Sequence, residues 1–158
     1  MSGPVEVLDY WLGEVGADGW YAGGDDLDGE IRDMWLELWQ AAKGGGLDHW
    51  IDGAAGALAF LILTDQFPRN MFRGQAQAFA TDALALAAAK RAVAEGWDLD
   101  APEPERQFFY LPYEHSEDPA DQAAAVRLIG ERLPETGAET LLHARAHQAI
   151  IARFGRFP

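Results

Sequence analysis

AAGALAFLILTDQFPRN, residues 54–70, decides the fold. From Ala54 to Phe67 the segment is apolar on every face, and a helix of that kind is buried among other elements. Its unbroken apolar run, Ala54 to Leu63, is far short of the roughly 20 residues that a membrane span needs. The cover must therefore come from the rest of the chain. Pro68 has no N–H to continue the helical ladder and is expected to end this central helix. The polar run behind it then crosses to the next element.

The flanking sequence supplies amphipathic partners. Val5, Leu8, Tyr10, Trp11 and Leu12 fall at helical spacing, with Gly13 as the expected stop. A glycine-rich loop, GADGWYAGGDD at 16–26, leads to Asp25 or Asp26 as cap of a second helix. Leu27, Ile31, Met34, Trp35, Leu38, Trp39 and Ala42 form its stripe, and KGGG at 43–46 stops it. Beyond the central helix, Thr81 or Asp82 caps a helix that runs to Glu95, with Gly96 just past its end. A further helix opens near Pro104 and carries Phe108, Phe109 and Leu111, and another spans Pro119 to Arg132. The last begins at Thr136, where T-x-x-E with Glu139 reads as a capping box. No segment alternates as a half-buried strand would. The fold class is all-α: about six to seven helices in one domain over residues 1–158, joined by connections short enough to make neighbours antiparallel.

Composition bounds the function. The 158 residues include 26 acids against 12 bases, for a net charge of −14. Such a surface repels phosphate backbones and anionic membranes, so neither nucleic acid nor a membrane is an expected partner. There are no cysteines, which excludes disulfides and thiolate metal sites. No secretory leader is recognisable and a cytoplasmic location is expected. Six tryptophans are expected to act mostly as core anchors.

Some polar residues are not explained by folding alone. In YLPYEHSED, residues 110–118, Asp118 and Pro119 start a helix and Ser116 is turn chemistry. That leaves Tyr113, Glu114, His115 and Glu117. A carboxylate beside an imidazole fixes its tautomer and raises its basicity, so His115 and Glu114 are the candidate acid–base pair. In TDQFPRNMFRG, residues 64–74, Asp65 sits at the C-terminal end of the buried helix. An opposing dipole there demands a cation, and Arg69 or Arg73 is nearest. Gln66 and Asn70 add amides beside those forked donors. His143 and His147 lie one turn apart with Glu139 a turn earlier, but no third ligand is indicated. No nucleotide-binding fingerprint, nucleophile elbow or calcium loop occurs. Neither a metal nor a cofactor is expected.

Five segments together resemble the mainly bacterial family called "domain of unknown function 924": VLDYWLG at 7–13, LILTDQFPRNMFRG at 61–74, AFATDALAL at 78–86, FFYLPYEHSED at 108–118 with Gln122 behind it, and HQAIIARFGRFP at 147–158. The resemblance implies antiparallel helix pairs in a tetratricopeptide-like superhelix. It also implies a chain ending one segment short of its relatives, whose pattern continues past FGRFP. It carries no established activity. It does add emphasis to Asp65, Gln66, Arg69, Asn70, Arg73, Tyr110, Glu114, His115, Glu117, Gln122, His147 and Arg156 as a ligand-binding set.

Two functions follow as expectations. One is a small-molecule-binding protein or enzyme, in its hydrolytic version using water as attacking group. Arg69, Arg73 and Arg156 would hold an anionic ligand beside His115 and Glu114. The other is a module that binds a protein or peptide in a helical groove, with the acidic surface favouring a basic partner.

Overall fold

The computed structural model describes residues 2–158 and is all-helical, with no strand among them. Its first element, α1 (Pro4–Leu8), passes into a wide π turn at Asp9–Val15 and then a single turn, α2 (Gly16–Gly19). The expected stop at Gly13 is not used. The chain leaves helical geometry at Gly16, whose φ of 68° suits a residue without Cβ. The long helix α3 (Asp25–Lys43) follows, with Asp25, Asp26 and Asp28 in its first turn and Lys43 in its last, matching the helix dipole at both ends. Ile31, Trp35, Leu38, Trp39 and Ala42 form its buried stripe.

A 3-10 turn, Asp48–Asp52, leads to the central helix α4 (Ala54–Leu61). Gly56 is required at this junction, because a Cβ there would lie 2.1 Å from the Trp50 carbonyl oxygen. Pro68 does not end the helix as the sequence suggested. The chain widens into a π turn at Ile62–Gln66, in which the Phe67 N–H reaches back to the Ile62 carbonyl, and continues as α5 (Phe67–Met71). The proline thus enters α5 in its first turn, where a missing N–H costs least. The Thr64 carbonyl, which an ordinary residue at 68 would have capped, accepts instead from the Thr81 hydroxyl at 2.6 Å. That hydroxyl also accepts from Trp39 Nε1 at 3.1 Å. A three-member relay thus ties α3 to the π turn and to the start of α6 (Asp82–Glu95).

The second half carries a 3-10 turn at Glu105–Phe109, the short α7 (Leu111–Glu114), then α8 (Pro119–Arg132) and α9 (Ala138–Phe154). Asp118 caps α8 through a 2.9 Å bond from the Ala120 N–H. The capping box expected at Thr136 and Glu139 does not form. Gly137 stands at the cap position, and the Thr136 hydroxyl and N–H both bond to Glu103 instead. Helices α8 and α9 pack along one another as a hairpin, α3 lies against α5, and α4 is covered by α1 and α6.

Phe67 sits at the centre of the core. Its ring meets Tyr10, Trp11 and Trp35 at centroid distances of 6.1, 5.6 and 5.5 Å. Contacts of this kind add about 0.5–1.5 kcal/mol each beyond area burial. They hold α5 rigidly just where the polar residues begin. No helix of the described residues is long and apolar enough to cross a membrane.

Candidate functional site

The π turn sets the site, because it brings a polar triplet, Thr64, Asp65 and Gln66, into the buried middle of the molecule. Asp65 is 1% exposed. Its Oδ1 lies 2.8 Å from His115 Nδ1 and 3.2 Å from Arg69 Nη1, and its Oδ2 accepts from the Gln66 amide at 3.0 Å. Burial pushes this carboxyl up, but His115 and then Arg69 outweigh it and hold the group below the usual carboxylate range. The expected Asp65–arginine pair is present. The expected helix end is not, since Asp65 lies between α4 and α5.

Arg69 is shared. Its guanidinium makes a bidentate contact with Asp82, at 2.9 and 3.0 Å, and also bonds the Asp65 carbonyl at 2.7 Å. Sequence reasoning treated Asp82 only as a helix cap. Its position one residue past Thr81, which anchors the π turn, is what places it opposite Arg69.

His115 does not pair with the carboxylates beside it in sequence. Its partner is Asp65, fifty residues earlier. Glu114 points elsewhere: its Oε1 lies 3.0 Å from His147 Nδ1 on α9. This contact raises the imidazole above its ordinary pKa. The contact is an ion pair when the imidazole is protonated and is not an aligned hydrogen bond, and Glu114 Oε2 has no hydrogen-bond partner among the described residues. Glu117 accepts the Phe157 N–H at 2.7 Å, docking the end of the chain, and the Phe157 ring stands edge-on to His147 at 5.4 Å. The Glu114–His115 pair proposed from sequence is therefore two separate pairs, Asp65–His115 and Glu114–His147.

Both imidazoles border two clefts. One, of about 700 Å³, is lined by Phe79, Asp82, Leu86, Pro112, Ser116 and Phe157. The other, of about 600 Å³, is lined by Trp20, Tyr21, Gln66, Asn70, Glu114 and Thr140, among others. Arg69, His115 and His147 belong to both and form their common wall. Among the described residues neither imidazole's Nε2 has a hydrogen-bond partner or is enclosed, and both rings belong to residues that line the clefts. The Ser116 hydroxyl donates to Asp121 at 2.7 Å and accepts the Asp118 N–H, so it serves the turn.

Other candidates fall outside this centre. Arg73 lies at the mouth of the second cleft, held by Asp28 at 2.8 and 3.1 Å, and Asn70 bonds the same carboxylate. Gln122 is fully buried and donates to the carbonyls of Glu114 and Ser116 at 2.7 and 2.6 Å, so it shapes the turn bearing His115. Tyr110 is buried in a separate network, where its hydroxyl and Arg132 both bond Asp98 at 2.6 and 2.7 Å. Arg156 is exposed and lines neither cleft. His143 and Glu139 are 3.9 Å apart on the exposed face of α9. Among the described residues no three carboxylate or imidazole groups are arranged around a common metal position. Five tryptophans, Trp11, Trp20, Trp35, Trp39 and Trp50, are core side chains and offer no row of exposed anchors.

An all-helical protein with two carboxylate–imidazole pairs on the wall between two clefts is the class these observations define. The chain belongs to the family described as "Bacterial protein of unknown function (DUF924)", whose model matches residues 7–158. It is similar to a solved structure of a protein of unknown function from Agrobacterium tumefaciens. That likeness has a TM-score of 0.92 and 40% sequence identity, and covers 98% of this chain and 85% of the other. A comparison with curated proteins finds no match.

Proposed function

We propose that the protein is a small-molecule enzyme in which His115, oriented by Asp65, takes a proton from a ligand or from a water in the clefts. The observation that supports this most is the 2.8 Å contact between a carboxylate that is 1% exposed and Nδ1 of an imidazole that lines both clefts. A buried acid that accepts from Nδ1 fixes the tautomer with a free Nε2 lone pair and stabilises the imidazolium once a proton arrives. Burial opposes ionisation of that acid, and His115 and then Arg69 outweigh it. The second imidazole, His147, stands on the same wall and, protonated beforehand, donates its own proton to a leaving group; solvent then restores both rings to their starting states.

No serine or threonine hydroxyl is bonded to either imidazole, so water is the attacking group where the reaction is hydrolytic. The arginines expected to bind an anion are already matched by carboxylates: Arg69 by Asp65 and Asp82, Arg73 by Asp28. Their role in this reading is to set the charge of Asp65 and the shape of the cleft mouth.

The test is untargeted mass spectrometry of a metabolite extract incubated with the wild-type protein and with His115→Asn. The variant keeps an Nδ-type donor for Asp65, so its melting temperature should stay near that of the wild type. Metabolites consumed or formed by the wild type alone identify the reaction. An extract left unchanged by the wild type, or changed equally by the variant, would overturn the proposal.

A further inference from the structure

The two clefts differ in what they offer a ligand. The larger, of about 700 Å³, has an apolar side made by Phe79, Ala83, Leu86, Pro112 and Phe157, next to the wall that carries His115 and His147. Small-molecule sites have this composition, a mostly apolar lining with a few placed polar groups. Phe79 is the informative residue. Phe60, Phe67, Phe72, Phe108 and Phe109 are buried in the core, whereas Phe79 is 59% exposed. Its ring is nevertheless placed. The buried Ala78 anchors the 3-10 turn that bears it, and the Arg69 guanidinium stands over the ring at 5.4 Å from its centre. Arg69 is in turn fixed by its two bonds to Asp82. Phe157 is placed as well, through its N–H on Glu117 and its ring against His147. The guanidinium on this wall is matched by Asp65 and Asp82, so no free arginine calls for an anion. What stays unsatisfied is apolar surface in contact with water, which gains from being covered.

We propose that the larger cleft holds an apolar group of the substrate against Phe79 and Phe157, with the reacting end turned towards His115 and His147. The two phenylalanines are then the side chains that select the substrate. The inference deepens the proposed function and rests on it for the direction of the reacting end, but binding of the apolar group requires no proton transfer. It assigns the substrate class as a molecule with an aryl or alkyl portion, in place of a sugar or an inorganic anion.

The experiment is an NMR titration of isotope-labelled protein with benzyl alcohol, glycerol and inorganic phosphate at matched ionic strength. Benzyl alcohol should shift the amide signals of Phe79, Ala83, Leu86 and Phe157 and leave those of Tyr21, Asn70 and Thr140 in the other cleft unmoved. Glycerol and phosphate should shift neither set. Phe79→Ala should weaken the binding of benzyl alcohol about two- to tenfold, the worth of one aromatic contact. Phe154→Ala is the control, since that ring is also exposed but lines neither cleft, and it should bind as the wild type does. Absence of shifts with benzyl alcohol, shifts confined to the other cleft, or an equal response to glycerol or phosphate would overturn the proposal. So would a Phe79→Ala affinity equal to that of the wild type. Should Phe79→Ala fail to fold, Phe157→Ala decides by the same measure, and unchanged affinity there would refute the site. The titration reads binding without turnover, so its failure is distinct from an extract that the protein leaves unchanged.

Discussion

Replacing Asp65 by alanine probes the centre of the molecule. The carboxylate accepts from His115, Gln66 and Arg69, and its loss leaves the first two donors without an acceptor. Each unsatisfied buried donor costs ~1–3 kcal/mol. A guanidinium left wholly unpaired would carry the total to ~3–5 kcal/mol. Arg69, however, keeps its two bonds to Asp82 at 2.9 and 3.0 Å. The expected loss is therefore about 3 kcal/mol, at the low end of that range. In a chain of this size that lowers the melting temperature by about 6–12 °C. Urea denaturation with an unchanged slope would show that native stability has changed. Asp82→Ala alone should cost less than about 1 kcal/mol, because Asp82 is partly exposed and Asp65 remains. The double substitution strands Arg69 and should exceed the sum of the single losses by about 1 kcal/mol or more. The pH dependence follows from the depressed carboxyl. Its stabilisation is present above about pH 3.9 and is lost as pH falls through the lower folded value. The gap between wild type and Asp65→Ala should hold at neutral pH and close only in acid. An Asp65→Ala protein within about 0.5 kcal/mol of the wild type would refute the buried-anchor reasoning, and strict additivity with Asp82→Ala would refute the shared guanidinium.

The remaining expectations concern the surrounding shell. His147 has a raised pKa, so its pairing with Glu114 stabilises the fold below about pH 6.5 and is lost as pH rises through the higher folded value. His147→Gln should therefore cost more at acid than at alkaline pH, by less than about 1 kcal/mol given its partial exposure, and melting curves across that range check the sign. Gln122→Leu should cost about 2–3 kcal/mol in urea midpoint measurements, since one buried and one part-buried carbonyl lose their donor, and should lower any turnover that depends on His115. Thr81→Val removes the hydroxyl between Trp39 and the Thr64 carbonyl at nearly constant volume. It should cost about 2 kcal/mol by the same assay. Arg156→Ala should leave stability within about 0.5 kcal/mol of the wild type.

The helices were legible because their signals are local. The stripe of α3, the Asp118–Pro119 start of α8 and the glycine after α6 each depend on residues within a turn or two. What sequence misread involves longer reach. Pro68 looks like a stop until Thr81, thirteen residues on, supplies the donor that its ring removes. The T-x-x-E box at Thr136 loses to Glu103, which approaches from another part of the chain. The site behaves likewise. That Asp65 needs a cation was read from a helix end that the structure does not have; its burial makes the same demand, and Arg69 is one helical turn away. That His115 faces Asp65 while Glu114 faces His147 was not readable, because neighbouring residues on α7 project in different directions, and adjacency in sequence is not adjacency in space. Tyr110 and Gln122 share the polar character of the site residues, but that character serves buried hydrogen bonding.

The π turn at Ile62–Gln66 also acts as a phase shifter. One additional residue in a helical screw turns everything downstream by about 100°, since 3.6 residues complete a revolution. Phe67 is thereby aimed at Tyr10, Trp11 and Trp35, while Arg69 swings towards Asp82. Shortening the segment by a single residue would give a more regular helix, yet it would turn the phenylalanine away from its aromatic cage and the guanidinium away from Asp82. Core and cleft are therefore indexed by the same irregular turn, and neither can be re-registered without dislocating the other.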